Sequence, residues 1–145
     1  MEVGVTKLSP DTEKYVKLFY EPQISAYSFL KAFFAELHQK GIREISRDLV
    51  SFFYETKKDQ RYQEILREIK FRSNGIFQYS NELEDNIFTL QNMGLLGKEN
   101  PSFGVILIKY NDSVSNEVLQ NIPEDHLALI KEVADKYVAD NSAKV

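Results

Sequence analysis

From Ile24 to Leu37 apolar side chains return at three- and four-residue steps: Ile24, Tyr27, Leu30, Phe34 and Leu37, with Ala26, Phe29 and Phe33 beside them. A stripe that wide leaves little of a helix for water. It predicts a central helix over about Gln23 to Lys40, covered by other elements on several sides. Gly41 marks its end, as the residue after a helix C-cap often does. The chain has 145 residues, 43% of them hydrophobic, which suits one domain over 1–145 with a core of its own.

The other segments supply the cover. Ser9-Pro10 reads as the start of a short helix to about Tyr20, with Asp11 and Glu13 facing its positive end and Glu21-Pro22 interrupting it. Ile42, Ile45, Leu49, Phe52 and Phe53 predict a third helix, and Tyr62, Ile65, Leu66 and Ile69 a fourth. Two helices are expected across 43–71 ahead of the alternative, one long bent helix, because the third helix's phase would land on Thr56, Asp59 and Gln63. Arg72-Ser73-Asn74-Gly75 is a turn, since Asn-Gly tolerates the left-handed backbone of tight turns, and Ile76 to Tyr79 follows as a short extended piece. Ser80 caps a fifth helix whose inner stripe is Leu83, Ile87 and Leu90, widened by Phe88 and ended by Gly94. Leu95 to Lys98 and Val105 to Ile108 are expected to pair as a β-hairpin, the second being the clearest strand in the chain. Its unbroken apolar run calls for cover on both faces, from the N-terminal helices or from a second chain. A polar loop then leads to Pro123. It opens a last helix with Glu124 and Asp125 in its first turn and Leu127, Ile130, Val133, Ala134 and Tyr137 inward. The expected fold is mainly α with a small antiparallel β-hairpin: a helical part over 9–71, a part containing the hairpin over 72–139, and a frayed tail over 140–145.

Leu90-x-x-x-Gly94-Leu95-Leu96, placed directly before a two-stranded hairpin, resembles the winged-helix superfamily. More narrowly, Tyr79-Ser80-x-Glu82-Leu83-Glu84-x-x-Ile87-x-x-Leu90-x-x-x-Gly94-Leu95-Leu96 is similar to the second half of the Panacea (SocA-like) antitoxin family. It is also similar to the small middle components of some bacterial defence systems. Leu129-Ile130-x-x-Val133-x-x-x-Tyr137 is similar in placement to Panacea's closing helix. The resemblance covers about residues 75–140. It implies a winged-helix-like domain and a regulatory, partner-binding protein rather than an enzyme.

A winged helix usually reads DNA with the helix before its wing. Here that helix carries Glu82, Glu84 and Asp85 and no Lys or Arg, so it would repel phosphates. Residues 1–72 hold thirteen basic and eleven acidic side chains; residues 73–145 hold five and eleven. The net charge of −4 therefore hides an acidic half, the one that resembles a DNA-reading fold. Protein partners, or a second copy of the chain, are expected ahead of nucleic acid. The rival reading is a DNA-binding transcriptional regulator that uses the arginine-bearing helices instead.

All five arginines lie at 43, 47, 61, 67 and 72. Arg43 and Arg47, four apart on the expected third helix, share a face, and Lys57, Lys58 and Arg61 follow. Glu44, Asp48, Glu64 and Glu68 interleave with them, so ion pairing comes before ligand binding as the reading of this face. Phe33-Phe34 and Phe52-Phe53-Tyr54 are consecutive, so one residue of each run is expected off the core stripe. Exposed aromatics favour interfaces. The candidate interaction residues are thus Arg43, Arg47, Lys57, Lys58, Arg61, Phe53 and Tyr54 on one part, and Glu82, Glu84 and Asp85 on the other.

Little in the chain suggests catalysis. With no Cys, thiol nucleophiles and thiolate metal sites are excluded. His38 falls near a helix C-terminus, where a charged imidazole is favoured. Glu124-Asp125-His126 cannot converge on a metal, because consecutive helical residues point about 100° apart. No phosphate loop, dinucleotide fingerprint, nucleophile elbow or zinc-protease motif occurs. No catalytic, cofactor or metal residue is assigned, and an enzyme ranks third. No stretch nears the ~20 apolar residues of a membrane span, and residues 1–5 do not read as a signal peptide. A cytoplasmic protein is expected.

Overall fold

The computed structural model describes residues 24–46, 48–97 and 105–142. The expected first helix, Arg47, the polar turn at 98–104 and the last three residues lie outside the described residues. Among those described, five α-helices surround two small antiparallel sheets: α1 (Ala26–Gln39), β1 (Glu44–Ser46), α2 (Val50–Lys57), β2 (Arg72–Ser73), β3 (Gln78–Tyr79), α3 (Asn81–Asn92), β4 (Val105–Leu107), α4 (Asp112–Gln120) and α5 (Glu124–Ser142).

The central helix is where the stripe placed it. Ser25 starts α1, its Oγ accepting from the Ser28 N–H at 3.0 Å. Gly41 ends it at φ +83°: the Gly41 N–H donates to the His38 carbonyl and the Ile42 N–H to the Leu37 carbonyl. Every residue from Ala32 to His38 is buried, so this half of α1 has no wet side. The helix packs against α3, α4 and α5. Phe29 and Phe33 meet Phe53 edge-on at 5.5 and 5.1 Å, and Phe33 meets Tyr137 of α5 at 5.9 Å. The expectation that one of Phe33 and Phe34 leaves the core is therefore wrong. A helix covered all round buries both. Phe53 is fully buried too, and only Phe52 and Tyr54 of that run stay half-buried.

The expected third helix does not begin at Ile42. Residues 44–46 form a strand instead, with Ile45 opposite Ile106 of β4. The reversal at Gly41 sends the chain beside β4, and the out-in-out pattern of Glu44, Ile45 and Ser46 fits a half-buried strand. Arg43 and the segment toward Arg47 thus share no helix face. The strand β4 is flanked on both edges: by β1, and by Leu96, which bridges Ile108. On that second edge Gly97 donates to the Leu107 carbonyl and Lys109 to the Leu95 carbonyl, both at 2.8 Å. The expected hairpin survives as this short contact, and the longer ladder runs to β1. A Cβ on Gly97 would lie 2.9 Å from that of Leu107, so this close approach requires glycine. Ile106 and Ile108 are buried, but Val105 and Leu107 only half, so the run is not dry on both faces.

The fourth helix is replaced by a 3₁₀ turn at Gln60–Tyr62 and further turns to Ile69. Asp59 caps this stretch by accepting from the Arg61 N–H. Lys57 Nζ crosses it to the Ile69 carbonyl at 2.8 Å. Ile65, Leu66 and Ile69 are still buried, so the core takes the apolar residues without a regular helix. The Asn74-Gly75 turn joins β2 to β3. Ser80 then caps α3 by accepting from the Leu83 N–H, and Gly94 at φ +82° closes it as Gly41 closes α1. Leu83, Ile87 and Leu90 face inward. Phe88, one step round from Ile87, is exposed, which corrects its placement on the inner stripe.

The polar loop after Ile108 contains α4, capped by Asn111 on the Val114 N–H at 2.8 Å. Its buried Ser115 and Val118 pack toward α1. The last helix matches its expected stripe, with Ile130, Val133, Ala134 and Tyr137 buried and Leu127 half-buried. It continues through Ser142.

This burial makes a contrast testable by denaturant unfolding. Phe34→Ala should cost about 3–5 kcal/mol, whereas Phe88→Ala should cost below about 0.5 kcal/mol.

Candidate functional site

The histidines are tied into the fold. His38 is buried with Nε2 3.0 Å from Asp112 Oδ1 and Nδ1 3.5 Å from Arg43 Nη1, joining the end of α1 to the start of α4. His126, also buried, sits 3.1 Å from Glu64 Oε2 and joins α5 to the turns after α2. Glu124 and Asp125 lie in the first turn of α5, where the helix dipole favours them. Among the described residues no three His, Asp or Glu side chains converge as a metal site would require.

Among the described residues, the basic candidates of the arginine-rich part are engaged within the fold rather than gathered on one face. Arg61 grips Glu132 of α5 with two hydrogen bonds at 2.6 and 2.5 Å, and the Tyr62 hydroxyl donates to the same carboxylate. These bonds hold the Glu132 carboxyl down at about 2. Arg72 pairs with Glu82, and Arg43 lies against His38. Lys57 donates to main-chain carbonyls, its burial and the nearby Lys70 depressing its pKa. Lys58 pairs with Glu55 and lies 4.8 Å from the Tyr54 ring centre. Tyr54 also meets Phe71 edge-on. Of the candidates in this part, Phe53 is core, Arg47 lies outside the described residues, and the rest have internal partners.

Two recesses are open. A cleft of about 640 Å³ lies between β1, α2 and the end of α5, with Asp48, Glu55, Asp140 and Lys136 on its walls. Its Thr56 hydroxyl donates to the Phe52 carbonyl, and burial pushes the Tyr137 hydroxyl's pKa up. A second groove of about 400 Å³ lies between α1, the end of α3 and α4, floored by Tyr27, Met93, Leu95, Val114 and Val118, with Lys31 on its wall. The Tyr27 hydroxyl points at Met93 Sδ, 3.3 Å away.

The acidic candidates mark the more distinctive surface. Glu82 is built in: its Oε1 accepts from the Lys70 N–H and from Arg72. Burial raises its pKa, but its own backbone N–H and Arg72 outweigh that and leave it lowered. Glu84 and Asp85 lie on the exposed side of α3. All four large hydrophobics that stand exposed among the described residues lie in the same stretch: Ile76 (85%), Phe77 (57%), Phe88 (60%) and Met93 (49%). From Ser73 to Gly97 the sequence has no Lys or Arg.

The tip that carries Ile76 and Phe77 is rigidly made. The Asn74 side-chain oxygen accepts from the Ile76 N–H at 2.8 Å and the Phe77 N–H at 3.1 Å, and Ser73 Oγ accepts from the Gly75 N–H. Sequence reasoning missed this tip and Phe88. The available signal was Phe88's spacing of three and four from Asp85 and Glu84, which sets it on their face.

No family model, curated protein or solved structure matches the chain.

One buried acid stands out. Glu36 of α1 is 4% exposed, and its Oε2 has no hydrogen-bond partner among the described residues. Burial raises its pKa, against opposing attraction from Lys131 and Lys40. A carboxyl raised on folding favours the fold when protonated and penalises it as pH rises through its folded pKa. Glu36→Gln should therefore raise the melting temperature by a few degrees at pH 7, about 1 kcal/mol, with the gain fading toward pH 4. An equal gain at both pH values would refute the assignment.

Proposed function

We propose that this chain is a non-enzymatic adaptor or regulatory protein that acts through protein contacts, built on a winged-helix plan. The observation that carries the reading is the gathering of Ile76, Phe77, Phe88 and Met93 on one hairpin and the helix after it. A folded chain usually keeps large apolar groups from water, and clustered exceptions mark interaction surfaces. The rigid turn under Ile76 and Phe77 adds to this, because a preorganised contact loses less entropy on binding.

The order of elements supports the winged-helix plan. A helix, a strand and a second helix come first; after a 3₁₀ turn and the β2–β3 hairpin come α3, the Leu96 bridge and β4, with β4 between β1 and Leu96. In that plan α3 would be the reading helix. Its exposed side bears Glu84 and Asp85 and no base, which favours a protein over a phosphate backbone as its partner. A regulatory role of antitoxin or defence type is the setting that the resemblance over residues 75–140 suggests.

Two measurements test the reading. In a duplex-DNA titration the chain should show no retardation even at low salt, where phosphate contacts are strongest. Phe77→Asp and Phe88→Glu, at exposed positions, should leave the fold intact and abolish partner capture from the source cell. Retardation that disappears with salt, or capture indifferent to both substitutions, would overturn the reading.

A further inference from the structure

The surface over 76–93 and the groove beside α1 lie at opposite ends of one helix. The hairpin tip enters α3 at its N-terminus, and Met93, at its C-terminus, lines the groove with Tyr27, Val114 and Val118. Twelve residues of helix separate the two by about 18 Å. Between them the outward side of α3 presents Glu84, Asp85, Phe88, Thr89, Asn92 and Met93, all exposed and spaced by three and four. One end of the helix therefore carries an apolar knob and the other an apolar hollow, with an exposed Phe88 near the midpoint.

We propose that a second copy of the chain covers this surface. In a two-fold dimer α3 packs antiparallel on α3 about Phe88, and the Ile76–Phe77 tip of each copy enters the groove between α1 and α4 of the other. This rests on the reading of the chain as a protein-contact module and names its partner.

A two-fold axis across the helix exchanges its ends, so knob and hollow are brought together twice. Charge selects the same arrangement. The carboxylates of α3 lie only in its first half, and its second half is uncharged. Parallel packing would set Glu84 and Asp85 against their own copies. Antiparallel packing sets them beside the uncharged Gln91 and Asn92 instead, while the groove, whose walls carry both Lys31 and Glu117, has no net charge to oppose the apolar tip. The arginine-rich part is a poorer seat for that acidic half, because Arg61 and Arg72 are already paired within the chain.

Sedimentation velocity of the full chain over a concentration series tests the dimer. The wild type should pass from one chain mass to twice that mass in the micromolar range. Phe88→Glu, which places two carboxylates at the axis, and Phe77→Asp should each weaken the dimer about 30-fold or more. Val114→Lys, which charges the groove, should do the same. A mixture of Phe77→Asp and Val114→Lys should associate more tightly than either alone, since one tip and one groove remain intact between them and the two introduced charges that meet at the other contact are opposite. Circular dichroism confirms the fold of each variant, and Phe88→Ala serves where Phe88→Glu does not fold.

A wild type that stays a single chain at millimolar concentration overturns the proposal, as does a dimer unaffected by these substitutions, or a mixture no tighter than its parts. A monomeric wild type whose capture of another protein still requires Phe77 would overturn the self-pairing and leave the adaptor reading standing. Loss of both would overturn both.

Discussion

The burial of α1 on all sides organises this fold. From Ala32 to His38 no side chain of that helix reaches water freely, so α3, α4 and α5 must close around it. Phe29 and Phe33 stack there and each meets Phe53 edge to face, and Tyr137 joins Phe33 from α5. Polar groups sealed into this shell have to be accommodated. His38 and Tyr110 find partners in Asp112 and the Lys31 carbonyl. Glu36 does not, and its raised pKa is the result. The same closure consumes most of the chain's aromatic surplus, which leaves the few apolar groups outside it easy to single out.

The parts of the fold set by local chemistry were legible from the residues. The C-terminal end of α1 and both ends of α3 follow from Gly41, Ser80 and Gly94, because caps and left-handed turns depend on single residues, whereas the Ser25 cap of α1, two residues past the expected start, was not read from the sequence. The segment 42–46 was not legible, since Ile42, Ile45 and Leu49 suit a helical step, and only pairing with β4 makes a strand of them. Tertiary pairing overrides periodicity in a stretch that short. Helix α4 was missed for the opposite reason: its polar residues obscure a narrow stripe of Val114, Val118 and Leu119 that needs α1 to give it meaning.

The candidate site divides in the same way. The sequence pointed to Glu82, Glu84 and Asp85, and two of these lie on the exposed side of α3. It also pointed to Arg61, Lys57 and Phe53, which the fold itself engages: Arg61 in a surface ion pair, Lys57 on main-chain carbonyls and Phe53 in the core. Charge alone could not separate these cases, because an arginine satisfied by Glu132, seventy-one residues away, reads like a free one until the fold is known. Exposure and pairing together move the weight from the basic part to the hairpin and α3. There, an acidic stretch without a single base carries apolar groups that stand exposed among the described residues.

The central claim is that residues 76–93 form the chain's working surface and that a second copy fills it. Amide hydrogen exchange read by mass spectrometry, compared between dilute and concentrated solution, tests it most directly. The account predicts slower exchange on concentration at the 74–79 tip, along α3, and on the faces of α1 and α4 that line the groove, with the arginine-rich segment 55–72 unchanged. Protection confined to that segment, or no dependence on concentration, would contradict it.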